Sequence, residues 1–180
     1  MTKTKGTAAY VLRLTLTLFL ITTVVAGLLG FVNYLTAGTI AEQTAAKAEA
    51  AMQQVLPAGS YEPMVIPGGS TVTAAYRADD KGYVVRVSPN GFGGEIDMMV
   101  GVDMNGAVTG IAIVSHSETA SLGANCTRED FRAQFTGKTG TLAVSKDGGE
   151  IEALTGATVT SRAVTQGVND ALAFVEEVLK

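Results

Sequence analysis

From Leu14 to Leu35 the chain carries no charged residue, and Thr15, Thr17, Thr22, Thr23 and Asn33 are its main polar interruptions. A helix of that length, rising about 1.5 Å per residue, reaches roughly 33 Å, enough for a hydrocarbon core of about 30 Å. Residues 14–36 are therefore predicted to cross a membrane. Lys3, Lys5 and Arg13 lie only on the N-terminal side, and the next positive charge is Lys47. The positive-inside rule then leaves residues 1–13 in the cytoplasm and everything after the span outside. A cleaved leader is the rival, because Val24-Val25-Ala26 before Gly27 reads as a small-residue cleavage site. The apolar run continues through Leu28, Leu29, Phe31, Val32 and Leu35, which favours a retained anchor.

Beyond the span the period changes. Ile40, Ala41, Ala45, Ala48, Ala51, Met52 and Val55 keep a helical spacing that should stop before Pro57. Residues 37–69 read as a linker helix followed by irregular chain, marked by Pro57, Gly59, Pro63, Pro67, Gly68 and Gly69. Alternating short runs follow. Thr71 to Ala78 and Tyr83 to Val87 flank the turn Asp79-Asp80-Lys81-Gly82. Glu95 to Asp103 places Ile96, Met98, Val100 and Val102 inward, and Asp103-Met104-Asn105-Gly106 turns it into Ala107 to Ser115. This pattern predicts an antiparallel meander. Thr127-Arg128-Glu129-Asp130 reads as a capping box opening a short helix with Phe131 and Phe135 on one face. A last hairpin is expected from Thr141 to Ser145 and Glu150 to Leu154 around Asp147-Gly148-Gly149. It leads into an amphipathic helix whose stripe is Val164, Val168, Leu172, Val175 and Leu179, with Asp170, Glu176 and Glu177 off it.

Charge and composition remove several functions. The chain has 13 Lys and Arg against 17 Asp and Glu, with no basic stripe, which argues against nucleic-acid binding. Cys126 is the single cysteine, so an internal disulfide, a Cys-rich zinc site and a Cys₄ iron–sulfur cluster are all excluded from this chain alone; it is expected to be buried. Gly137-Lys138-Thr139 suggests a phosphate-binding loop, but Arg132 stands where that motif needs glycine. His116, the single histidine, lies between Ser115 and Ser117, yet no motif supplies the oriented carboxylate and oxyanion hole of a hydrolase. The roughly 145 residues after the span suffice for one domain with its own core.

The chemistry concentrates where the last helix begins. Leu154-Thr155-Gly156-Ala157-Thr158-Val159-Thr160-Ser161 brings hydroxyls and small residues to a helix N-terminus, where unpaired N–H groups and the helix dipole favour a phosphate. On spacing alone, capping the helix is the commonest duty of a hydroxyl at this position, and Thr158, Thr160 or Ser161 would do no more than that.

Residues Glu152 to Thr158 also resemble the D-x-x-[S/T]-G-A-T motif of the FMN-binding domain found in the G subunit of the Rnf electron-transport complex and the C subunit of the sodium-pumping NADH:quinone reductase. Glu152 stands in place of the motif's Asp. Gly91-Phe92-Gly93-Gly94-Glu95-Ile96 with Val100-Gly101-Val102-Asp103 is similar to the family's G-Y-x-G-P-I and V-G-I-D segments. Glu118-Thr119-Ala120-Ser121-Leu122-Gly123 is similar to its E-T-P-G-L-G loop, and Phe131 to Lys138 to its W-x-x-Q-F-x-G-K. The resemblance follows the same order over essentially the whole chain.

What the resemblance implies is an α+β protein: a single N-terminal transmembrane helix followed by one FMN-binding domain, residues 70–180, with a mostly antiparallel sheet flanked by helices. It implies FMN carried on Thr158 through a phosphoester bond, made by a flavin transferase with FAD as donor. By the same match, Thr155, Gly156, Ala157, Thr160 and Ser161 hold the phosphate end. Glu118, Thr119, Leu122 and Gly123 face the ring, with Gly91 and Phe92 nearby. The implied work is electron transfer within a membrane-bound Rnf-type ferredoxin:NAD oxidoreductase coupled to Na⁺ or H⁺ transport, in contact with other subunits and membrane lipid. The chain would be an electron-transfer component, not catalytic alone. Two alternatives remain at this level: the C subunit of the quinone reductase, and a flavin-free anchored docking module.

Overall fold

The computed structural model describes residues 3–66 and 71–179. Pro67, Gly68 and Gly69 of the expected irregular stretch, and the expected domain boundary beside them, lie outside the described residues. The chain divides into two compact units, residues 1–44 and 45–180.

The first unit lies within helix α1 (Lys3–Val55), which runs unbroken through the span and the expected linker helix. Among the described residues it alone is long and apolar enough to cross a membrane, and its most apolar window is 0% buried. Leu16, Phe19, Leu20, Leu28, Leu29 and Phe31 all face outward, as on a helix solvated by lipid. The hydroxyls of Thr15, Thr22 and Thr36 donate to the carbonyls of Val11, Leu18 and Val32 one turn back, at 3.0, 3.0 and 2.9 Å. Each of these hydroxyls is thereby satisfied by its own helix.

The second unit begins inside the stretch expected to be a linker. Its sheet is a five-stranded antiparallel meander in the order β1-β2-β3-β4-β5, built from β1 (Tyr61–Pro63), β2 (Val72–Ala78), β3 (Gly82–Val87), β4 (Ile96–Asp103) and β5 (Val108–His116). Four of these match the expected strands to within a residue. Asp79, at φ 47, opens the first hairpin, and Asp103 closes the second by accepting the N–H groups of Asn105 and Ala107 at 2.8 and 2.9 Å. β1 falls in a stretch expected to be irregular. It adds at the sheet edge, where Pro63 is tolerated because its missing N–H faces no partner strand.

Both faces of the sheet are covered. On one, Val85, Val87, Ile96, Met98, Val100 and Val102 pack with Phe131, Phe135, Val144 and Ile151, under helix α3 (Thr158–Leu179). On the other, Ala78, Val84, Met99 and Ala112 pack against Ala51, Val55 and Leu56 at the end of α1. Met99, which alternation would turn to solvent, is therefore 1% exposed. Side chains from the domain also cap the helix end: Thr109 Oγ1 donates to the Val55 carbonyl at 2.6 Å, the Tyr61 hydroxyl to that of Leu56 at 2.8 Å, and Lys81 Nζ to that of Pro57 at 2.5 Å.

Three expectations need correction. Thr127 caps nothing: its hydroxyl donates to the Ala124 carbonyl at 2.9 Å, closing a 3₁₀ turn (Gly123–Thr127). Helix α2 (Glu129–Arg132) then starts from an extended Arg128 with no side-chain cap, and the turn continues as 3₁₀ through Phe135. Phe131 and Phe135 do share a face, meeting edge-on with centroids 5.5 Å apart. The last hairpin does not form. Val144 and Ile151 make one parallel bridge around a 3₁₀ turn (Ser145–Asp147), because Gly148 at φ 84 and the Gly149 N–H, bonded to the Val144 carbonyl at 3.0 Å, wrap the chain into a tight loop. Asn169 holds both backbone groups of Leu142, at 2.8 and 2.9 Å, and so binds this segment to α3. Finally, Val164, Val168, Leu172 and Val175 are buried as expected, but Leu179 is 41% exposed at the end of α3.

Candidate functional site

The turn into α3 depends on small residues. Gly156 has φ +75, and a Cβ there would come within 3.1 Å of Leu122 Cδ2. Ala157 N–H closes the turn on the Leu154 carbonyl at 3.0 Å. Ser161 locks it from beneath, its Oγ accepting the Leu154 N–H at 2.9 Å and donating to the Ala157 carbonyl at 3.0 Å. The first α-helical bond of α3 runs from Ser161 N–H to the Ala157 carbonyl, at 3.0 Å. The N–H groups of Thr158, Val159 and Thr160 precede it and have no carbonyl one turn back within the helix.

A single carboxylate ties this turn to the two loops facing it. Glu118, 8% exposed, accepts the Thr160 hydroxyl at 2.5 Å on Oε2 and the Gly93 N–H at 2.9 Å on Oε1. Its own N–H donates to His116 Nδ1 at 3.2 Å, which gives the histidine a structural partner at the strand end. Space for the carboxylate comes from glycines: a Cβ at Gly91 would lie 2.2 Å from Oε1, and one at Gly123 2.3 Å from Oε2. The loop itself bends at Ser121, φ 63, where the similar family loop has glycine; a non-glycine residue there costs on the order of 1 kcal/mol.

Between the loops and the helix lies a cleft of about 380 Å³, within the usual range for small-molecule sites. Phe92, Thr119 and Leu122 line it from the loops, Thr158 and Val159 from the start of α3, and Gly123, Gly156, Ala157 and the Glu118–Thr160 pair complete the lining. Phe92, Leu122 and Val159 are 72%, 44% and 49% exposed, an apolar rim that suits a flat aromatic ring. The structure thus gathers Thr158, Gly156, Ala157, Thr160, Glu118, Thr119, Leu122, Gly123 and Phe92. It places the other three sequence candidates elsewhere. Thr155 lines a neighbouring hollow with Asn125, Gln134 and Glu152, Ser161 is fully buried under the turn, and Gly91 sits behind Glu118.

Two residues at the cleft carry no sequence signal of their own. Val159 lines it directly. Lys146 Nζ donates to Thr158 Oγ1 at 2.9 Å, from a turn that a hairpin would have placed differently. Beside it Asp147 is forked by Arg162 at 2.6 and 2.5 Å, and that guanidinium holds the carboxyl below its ordinary range. Cys126 lies fully buried. Burial, with the Glu118 charge as the second cause, pushes its thiol up to about 11. The thiolate is therefore scarce at neutral pH. Iodoacetamide is expected to leave the native protein unmodified and to add one label after unfolding, as read by intact mass.

A helix-terminal hydroxyl, free N–H groups, a nearby ammonium and an apolar slot together fit a phosphate-bearing flavin. Residues 91–173 match the FMN-binding domain, and residues 2–55 match the N-terminal region of RnfG; the class is that of an FMN-binding domain following an apolar helix. The chain is 33% identical to the G subunit of the Na⁺-translocating ferredoxin:NAD⁺ oxidoreductase complex of Acetobacterium woodii, covering 94% of each chain. It is 35% identical to the G subunit of the ion-translocating oxidoreductase complex of Escherichia coli K12, covering 81% of each. To the G subunit of the proton-translocating ferredoxin:NAD⁺ oxidoreductase complex of Clostridium ljungdahlii it is 47% identical over 50% of this chain and 51% of that one. The chain belongs to the family of G subunits of the Rnf ion-translocating oxidoreductase complexes. Its fold is shared with the C subunit of the Na⁺-translocating NADH-quinone reductase of Parabacteroides distasonis, at 19% identity and a TM-score of 0.52 over 73% of this chain and 82% of that one.

Proposed function

We propose that this chain carries FMN esterified through its phosphate to Thr158 and relays electrons within an Rnf-type ferredoxin:NAD oxidoreductase complex coupled to ion transport. The observation that carries the reading is the Thr158 hydroxyl. It stands at the N-terminus of a 22-residue helix, on the wall of the cleft, with Lys146 against it. Thr158, Val159 and Thr160 N–H groups and the Lys146 ammonium would hold the phosphate. Phe92, Thr119, Leu122 and Val159 would flank the ring, and the Glu118–Thr160 pair would fix the spacing of loops and helix. When bound, the flavin supplies the redox chemistry, while the protein sets its position, solvent access and surrounding polarity.

In this reading α1 anchors the chain in lipid with Lys3, Lys5 and Arg13 on the cytoplasmic side, so that the FMN-binding domain lies outside. Other subunits of the complex donate and accept the electrons, and a flavin transferase loads the cofactor from FAD. A covalent bond suits that location, since a flavin held only by equilibrium contacts would be lost by dilution. Relatives are named for Na⁺ and for proton translocation alike, and the ion is assigned to the complex.

The test is to produce the full chain with an active transferase, then denature and precipitate it. Retained yellow colour, with an intact-mass increase equal to esterified FMN, supports the reading. A colourless pellet of unchanged mass, with the transferase active on another substrate, sinks it and favours an anchored docking module.

A further inference from the structure

Lys146 lies outside every motif that pointed to the cleft, yet its ammonium touches the hydroxyl on which the flavin reading rests. The contact is built by the fold. Lys146 sits in the 3₁₀ turn Ser145–Asp147, and the next residue forks onto Arg162, one helical turn beyond Thr158 on the same face of α3. Two consecutive residues of one turn therefore grip two consecutive turns of the helix. The loop behind them has little freedom to shift. Ser145 N–H donates to the Ile151 carbonyl at 2.7 Å, and a Cβ at Gly149 would lie 2.0 Å from the Ala143 carbonyl oxygen. Nearby carboxylates are engaged elsewhere, Asp147 by Arg162 and Glu150 by Lys138. Among the described residues no carboxylate pairs with Lys146, so its charge is free for the hydroxyl.

We propose that Lys146 is a positioning residue for flavin attachment, holding the Thr158 hydroxyl for phosphoryl transfer and then facing the resulting phosphodiester. This rests on the reading of Thr158 as the attachment residue. An ammonium can only donate, so it binds a lone pair of Oγ1 and leaves the threonine's own proton to be taken by a base of the transferase. As that proton leaves, the Oγ–P bond forms, the pyrophosphate P–O bond of FAD breaks and AMP departs, with no change of oxidation state. Negative charge grows on Oγ along this path, and a cation 2.9 Å away stabilises it. Lys146 is exposed, so its effect on folding stability should be small, and its effect belongs to the rate of attachment.

The experiment follows flavin attachment by intact mass over time, using the full chain in detergent with purified transferase and FAD. Lys146→Met is expected to label about tenfold more slowly than wild type, with an unchanged thermal midpoint. Lys146→Arg, which keeps charge and donors, should recover most of the rate. Asp147→Asn should slow labelling when Lys146 is present and have no further effect in Lys146→Met, because it acts through the lysine. Equal rates for Lys146→Met and wild type overturn the role of Lys146 while leaving attachment at Thr158 intact. An arginine variant as slow as the methionine one, or slow labelling that tracks a lowered midpoint, also overturns it. A wild type that gains no mass beside an active transferase removes this inference and the function it rests on together.

Discussion

Thr158→Ala, made beside an active transferase, gains no flavin mass and loses its colour on denaturation, while Thr158→Ser keeps a partial load. The alanine variant still folds, because Thr158 is half-buried and the turn is held by Ser161, Gly156 and the Leu154–Ala157 bond. Its cost is limited to the exposed hydrogen bond from Lys146, about 0.5 kcal/mol. Label and stability are thereby separated in one variant. Serine presents the same nucleophile without the methyl group that fixes its rotamer, so its hydroxyl spends less time against Lys146. A Thr158→Ala chain that still carried esterified FMN would move the attachment to Thr155, Thr160 or Ser161. Of these, Thr160 and Ser161 are fully buried with committed hydroxyls, which leaves Thr155, and peptide mapping would find it.

Glu118→Ala is expected to destabilise the domain and to open the cleft. It strands the Thr160 hydroxyl and the Gly93 N–H, both bonded to the same carboxylate at 2.5 and 2.9 Å. Hydrogen bonds to a charged group contribute about 1.5–3 kcal/mol each, and the loss leaves polar groups facing a void. A loss of about 3 kcal/mol in denaturant unfolding is expected. The functional effect should exceed the stability effect, since Glu118 joins the Gly91–Gly94 loop, the Thr119–Gly123 loop and the start of α3. With that tie cut, the walls separate and an attached flavin should fluoresce more strongly as it gains solvent. Glu118→Gln keeps one acceptor and should fall between the two. An alanine variant with wild-type unfolding and fluorescence would show that the walls are held by other contacts.

The sheet is legible in the sequence because its strands alternate and its turns carry Asp and Gly at positions where Asp79 and Gly106 adopt positive φ. β1 escapes because three residues ending in proline carry no period. Met99 escapes for a different reason: alternation reports one buried face, and nothing local says that the end of α1 returns to cover the other. The failed hairpin and the missing capping box share a cause. In both places a 3₁₀ turn forms, begun by Gly123 in one and ended at Gly148 in the other, and the local hydrogen bonds of that turn replace the expected ones. At the site, the two loops and the helix start are legible as short contiguous motifs. Lys146 is not, since its approach to Thr158 depends on a non-repetitive loop pinned by Asn169 and Arg162.

The crowding around Glu118 also has a meaning for heredity. Gly91 and Gly123 give way to nothing larger while the glutamate is present, because their missing side chains are the room it occupies. Shortening Glu118 to aspartate would not free the place, since Ile96 Cδ1 would still lie 2.8 Å from an alanine Cβ at position 91 and the bonds to Thr160 and Gly93 would be lost. A lineage carrying Gly91→Ala therefore has no single-codon escape at position 118, and its revertants should restore glycine at 91, which makes these distant positions a single unit of inheritance.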